Sequence, residues 1–167
     1  MRMNLKYLAV YLNDHLAGAT GGLQLAKRAA ASNEGNEYGR VLTEIGHEIA
    51  EDRASLVRIM ERLDVKQDRL KTTGAYIGEM LGRLKPNAQL TGYSPLSRVV
   101  ELEFLVLGVT GKLGLWRSLL AVADDDERLD PQELTVLAER AERQRDELEP
   151  HRLRAVEDAF REHAPAH

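Results

Sequence analysis

Five residues able to carry charge or hydrogen bonds stand at positions that otherwise read as the buried side of a helix: His15, Glu48, Asp52, Lys112 and Gln144. Asp52 falls in the middle of the series Tyr38, Val41, Ile45, Ile49, Leu56, Ile59 and Leu63, whose steps of three and four trace one helical face. Glu48 flanks it one turn away. Lys112 interrupts a strongly apolar run, Gln144 sits between Ala141 and Leu148, and His15 borders the stripe that contains Leu12 and Leu16. A lysine beside a carboxylate supplies the positive charge that a metal would otherwise bring, and burying either charge alone is costly. Three chemistries are open to such a set. It can be an ion pair with hydrogen bonds from His15 and Gln144, a pocket for a small molecule, or a mononuclear metal site on His15, Glu48 and Asp52. Arg98, Glu101 and His151 form a second candidate cluster, either a structural network or a binding site.

These groups can meet only if helices carry them to one height. The spacing predicts a first helix from Asn4 to about Ala31 and a second from Glu37 to Leu63, separated by the turn-forming stretch Ser32-Asn33-Glu34-Gly35-Asn36. It predicts a short third helix from about Gln67 to Leu84. Ser94-Pro95 then reads as a cap and first helical position for a fourth helix, extending to about Ala123. Asp130-Pro131-Gln132-Glu133 starts a fifth, which runs to about Glu162 with a kink expected at Pro150. The short first turn makes the first two helices antiparallel. With the third segment crossing the bundle, the fourth helix descends and the fifth ascends. At about 1.5 Å of rise per residue, His15, Asp52, Lys112 and Gln144 then share one layer, and Glu101 comes within reach of His151.

Glycines recur inside the helices at Gly18, Gly21 and Gly22, at Gly74, Gly78 and Gly82, and at Gly108, Gly111 and Gly114. They do not sit in strand-to-helix loops, so they are not phosphate cradles; close helix packing is the expected use. The fourth helix is apolar on most of its circumference, which places it centrally or at a subunit contact. With the glycine track beside it, this leads to the expectation of a homodimer through the third or fourth helix.

The 167 residues suit one domain, expected over 1–163 with a frayed tail at 164–167. Composition is that of an ordinary globular chain, 43% hydrophobic and 30% charged. The net charge of -4 and the lack of a dense Lys/Arg stripe argue against nucleic-acid or anionic-membrane partners. No apolar run reaches the roughly 18 residues of a membrane span. Met1-Arg2-Met3-Asn4-Leu5-Lys6 enters an amphipathic pattern directly, so a secretion signal is not expected in this stretch. With no cysteine there is no disulfide or thiolate chemistry, and the expected compartment is the cytoplasm.

The stretches Tyr11-Leu12-Asn13-Asp14-His15-Leu16, Glu48-Ile49-Ala50-Glu51-Asp52-Arg53 and Ser94-Pro95-Leu96-Ser97-Arg98-Val99-Val100-Glu101-Leu102-Glu103 resemble small members of the ferritin-like superfamily. The resemblance implies an all-α, ferritin-like four-helix bundle with an extra short helix in its crossover segment. Di-iron members use four carboxylates and two histidines, with a Glu-x-x-His pair on each of two helices. Here Glu44-Ile45-Gly46-His47 has the spacing, but His47 turns nearly opposite the buried face. The last helix offers only Glu147 and His151, four apart with Pro150 between them. The expected protein is therefore a non-catalytic bundle without cofactor, serving a structural or binding role. The alternative is a protein that uses the inward polar layer to hold a small ligand, or iron or another divalent metal.

Overall fold

The computed structural model describes residues 3–68 and 93–161. Four long helices account for most of them: α1 (Leu5–Ser32), α2 (Glu37–Arg62), α3 (Pro95–Leu120) and α4 (Pro131–Phe160), with a single 3-10 turn at Ala123–Asp125. No strand occurs among the described residues, and none of their helices is long and apolar enough to cross a membrane. α3 and α4 correspond to the fourth and fifth helices expected from the sequence. The helix expected from Gln67 to Leu84, with Gly74, Gly78 and Gly82, lies outside the described residues apart from Gln67 and Asp68, which are not helical. The expected tail at 164–167 is also outside them.

Each helix starts where a side chain can satisfy the first free N–H groups. Asn4, Asn36, Ser94 and Asp130 each accept a hydrogen bond from a backbone N–H of the following turn. Pro95 and Pro131 follow their caps directly, where a missing N–H costs nothing. Pro150, expected to kink the last helix, is accommodated inside α4, which runs on to Phe160.

Contacts fix the directions. α1 and α2 are antiparallel across the turn in which Gly35 takes φ +85°. Tyr11 reaches Ser118 and Arg28 reaches Glu101, so α3 is antiparallel to α1. Tyr38 meets Asp158, Asp52 meets Arg140, and Arg62 meets Glu133, so α4 is antiparallel to α2. α2 and α3 therefore run parallel: α2 ends where α1 begins, and α3 begins at the opposite end of the bundle. The interior holds one continuous core that includes Leu12, Leu16, Ile45, Ile59, Leu102, Leu105, Trp116, Leu134 and Leu148.

Candidate functional site: a polar layer and the cleft above it

The polar layer sits where α2, α3 and α4 meet. Asp52 is 1% exposed and Gln144 is fully buried. Lys112 Nζ lies 2.5 Å from Asp52 Oδ2 and also donates to Gln144 Oε1. The Gln144 amide donates in turn to Glu48 Oε2 at 2.7 Å and to Asp52 Oδ2 at 3.1 Å. Lys112, Asp52 and Gln144 thus close a ring of hydrogen bonds, and Glu48 is attached to it through the Gln144 amide. Burial pulls the Lys112 ammonium below the ordinary lysine range, and Asp52 opposes that pull.

Sequence reasoning missed Arg140. Its Nε lies 3.0 Å from Asp52 Oδ1, while Nη1 reaches Glu51 at 2.5 Å. The Nε–H is not directed at Asp52, so Oδ1 carries an ion pair but no hydrogen bond. Arg140 stands four residues before Gln144, one turn away on the same face of α4, and that spacing was the available signal.

His15 does not join the ring. Its imidazole packs edge-on against Tyr11, with ring centroids 4.5 Å apart. The proposed His15, Glu48 and Asp52 metal set is accordingly not assembled, and no three His, Asp or Glu side chains among the described residues converge on one point. The Lys112 ammonium fills the position between Asp52 and Gln144 that a cation would need. Glu44 and His47 are exposed, and Glu44 pairs with Arg40 at 3.1 Å.

The second cluster also differs from its expected form. Glu101, 4% exposed, takes Arg28 Nη2 at 2.5 Å and the Tyr93 hydroxyl at 2.8 Å; His151 is not its partner. Arg98 donates to Asn33 Oδ1 at 2.7 Å and lies over the Tyr38 ring. His151 bonds the Glu147 carbonyl oxygen of its own helix and sits edge-on to Tyr38. The three residues are links in a wider network through Tyr38, Asn33 and Tyr93, which ties the turn between α1 and α2 to the start of α3. Burial and the Glu101 carboxylate raise the Tyr93 phenol well above its ordinary range, so it donates as a neutral hydroxyl.

Beside the polar layer, α1, α2 and α3 enclose a half-open cleft of about 580 Å³. That volume falls inside the span of about 300–1,000 Å³ common for small-molecule sites. Its walls are mostly apolar, with Leu25, Ile49, Phe104 and Leu105 among them, and it reaches His15, Asp52, Arg53, Lys112 and Trp116. The register set by Tyr11–Ser118 and Arg28–Glu101 brings Gly18 level with Gly111 and Gly22 close to Gly108. All four glycines line the cleft, and a Cβ built on any of them meets nothing within 4 Å. This corrects the expectation that these glycines serve close helix packing: they leave the facing walls of α1 and α3 bare along the cleft. An alanine there gains helix propensity without a clash. Gly18→Ala and Gly111→Ala are each expected to stabilise the fold by about 0.5–1 kcal/mol in urea titrations. A loss of stability in both would mean that the walls are closer than the geometry shows.

Burial lowers the His15 pKa below 6.5, against the pull of Asp14. The unfolded chain therefore binds a proton at His15 more readily than the folded one. Stability from this group is complete above about pH 6.5 and is lost as pH falls toward the folded value. His15→Phe, which keeps an aromatic edge beside Tyr11, is expected to shrink the difference in unfolding free energy between pH 7.5 and pH 5.5. An unchanged difference would assign that acid sensitivity to the carboxylates.

Comparison with protein-family models, with curated proteins and with solved structures gives no match to this chain.

Proposed function

We propose that this is a non-catalytic, ferritin-like bundle without a di-iron centre, and that it binds a small, largely apolar molecule in the cleft between α1, α2 and α3. The observation that carries the reading is the cleft itself: apolar walls, left bare of side chains at glycines on both α1 and α3, leading to the buried Lys112–Asp52 pair. An interior that only had to be stable would close such a space, because unfilled apolar volume forfeits packing. The ferritin-like assignment draws support from the helix directions, in which α2 and α3 run parallel and both oppose α1 and α4. The hydrogen-bonded ring of Lys112, Asp52 and Gln144, extended by Glu48, gives the site a fixed polar floor, and no catalytic role is assigned to it.

A cytoplasmic homodimer completes the proposal. The cysteine-free composition suits a reducing compartment. Leu107, 59% exposed on α3 beside Gly111, offers apolar surface for a second chain. Light scattering at micromolar concentration tests this part, and a mass near 18.7 kDa would establish the monomer.

Binding is tested with a neutral apolar dye, N-phenyl-1-naphthylamine. Saturable binding of one dye per chain is expected, weakened about ten-fold or more by Gly111→Leu, which fills the cleft without meeting another atom at its Cβ. Absence of saturable binding, or binding indifferent to Gly111→Leu, would overturn the reading.

A further inference from the structure

The cleft is not uniform along its length. The helix registers place Leu25, Ile49, Phe104 and Leu105 toward the end of the bundle that carries the turn between α1 and α2. Arg53, Lys112 and His15 lie about 6–15 Å further along, counting about 1.5 Å per residue, with Leu56, Leu115 and Trp116 beside and beyond them. A ligand in the first part of this space has an apolar body there and meets cationic or hydrogen-bonding groups midway along the cleft.

The sign of the charge it meets follows from which groups are already matched. Lys112 is neutralised by Asp52. Asp14, exposed at the rim, has an interaction of its own, and its charge acts on His15. Arg53 is different: among the described residues it has no carboxylate within ion-pair distance. Its Nε donates to Thr20 Oγ1 at 3.0 Å, and Thr20 donates to the Leu16 carbonyl oxygen at 2.9 Å. One edge of the guanidinium is thereby anchored to α1, while its terminal nitrogens keep their donors. A guanidinium held by one edge is suited to a two-point grip on a carboxylate, phosphate or sulfate. His15 and Tyr11 also line that part of the cleft, and neither is a carboxylate.

We infer that the cleft takes an amphipathic anion, an apolar chain ending in a single carboxylate or equivalent group, with Arg53 as the residue that selects the charge. The inference rests on the binding reading above and names its ligand class. Between Phe104 and the height at which Arg53 meets Thr20 the cleft runs about 8 Å along α3, enough to cover about six carbons of an acyl chain, and its open side leaves room for the rest.

Trp116, the chain's single tryptophan, lines the cleft and reports on it directly. Its fluorescence is followed while dodecanoate, dodecan-1-ol or dodecyltrimethylammonium is added below the micellar concentration. Dodecanoate is expected to bind at least about ten-fold more tightly than the other two. Arg53→Gln should erase that preference by weakening dodecanoate far more than dodecan-1-ol, and Arg53→Lys should restore part of it. If dodecan-1-ol or the cation binds the unaltered chain as tightly as dodecanoate, the inference is overturned while the cleft reading stands. An unaltered preference in a folded Arg53→Gln chain overturns Arg53 as its source. If no probe binds and the neutral dye also fails, both readings fall together. If Arg53→Gln does not fold, the comparison of the three probes on the unaltered chain decides the matter by itself.

Discussion

Asp52→Leu is expected to lower the unfolding free energy by about 3–5 kcal/mol, the range for breaking a buried ion pair by removing one partner. The leucine fits the apolar series that Asp52 interrupts, so the loss does not come from packing. It comes from Lys112, whose side chain is 13% exposed and which would keep Gln144 as its neutral partner but lose its counter-charge. The paired change Asp52→Leu with Lys112→Met removes both charges from the layer and is expected to recover most of the loss. Arg140 does not prevent this, because it retains Glu51 at 2.5 Å. It does make the two single changes unequal. Lys112→Met leaves Asp52 beside Arg140 at 3.0 Å, so it should cost less than Asp52→Leu. Urea titrations of the four chains measure this. If the double change costs as much as the two single ones added together, the pair is not energetically coupled and the layer is held by something else.

Gly39→Ala should destabilise by about 2–3 kcal/mol or more, a large effect for one added methyl group. A Cβ at residue 39 would lie 2.1 Å from the Asn33 carbonyl oxygen and 2.8 Å from its carbon, far inside contact distance. The obstacle is backbone, so no side chain can swing aside. Nor can Asn33 retreat easily. It is 1% exposed, and its amide donates to the Ala29 carbonyl oxygen and to Tyr93 while accepting from Arg98. Moving it disturbs the network that joins the turn between α1 and α2 to the start of α3. Gly46→Ala is the control in the same helix: its Cβ would stand 3.6 Å from the Ala26 methyl, an ordinary contact, and it should be neutral or slightly stabilising. Calorimetric melting of both variants tests the contrast. Equal melting temperatures would mean that the turn is far more yielding than its hydrogen bonds imply.

The amino-acid sequence by itself determined the four described helices and the inward position of Asp52 and Gln144. Caps such as Asn36 and Asp130 marked the starts of α2 and α4, and three-and-four spacing placed Asp52 and Gln144 among core residues. Both signals are local: a cap acts within one turn, and a helical face repeats every 3.6 residues. The pairing of Lys112 with Asp52 was legible too, since rise per residue converts numbering into height once the helix directions are assumed. Distances between helices were not legible. Spacing tells which side of a helix a glycine occupies but not how near the facing helix stands. Gly39, pressed against a backbone carbonyl, and Gly111, bordering an open cleft, therefore look alike in sequence, and only the packing separates them. The same limit hid Arg140 and gave Glu101 the wrong partner. Long side chains reach across several ångströms in more than one direction, and tertiary structure decides which carboxylate they meet.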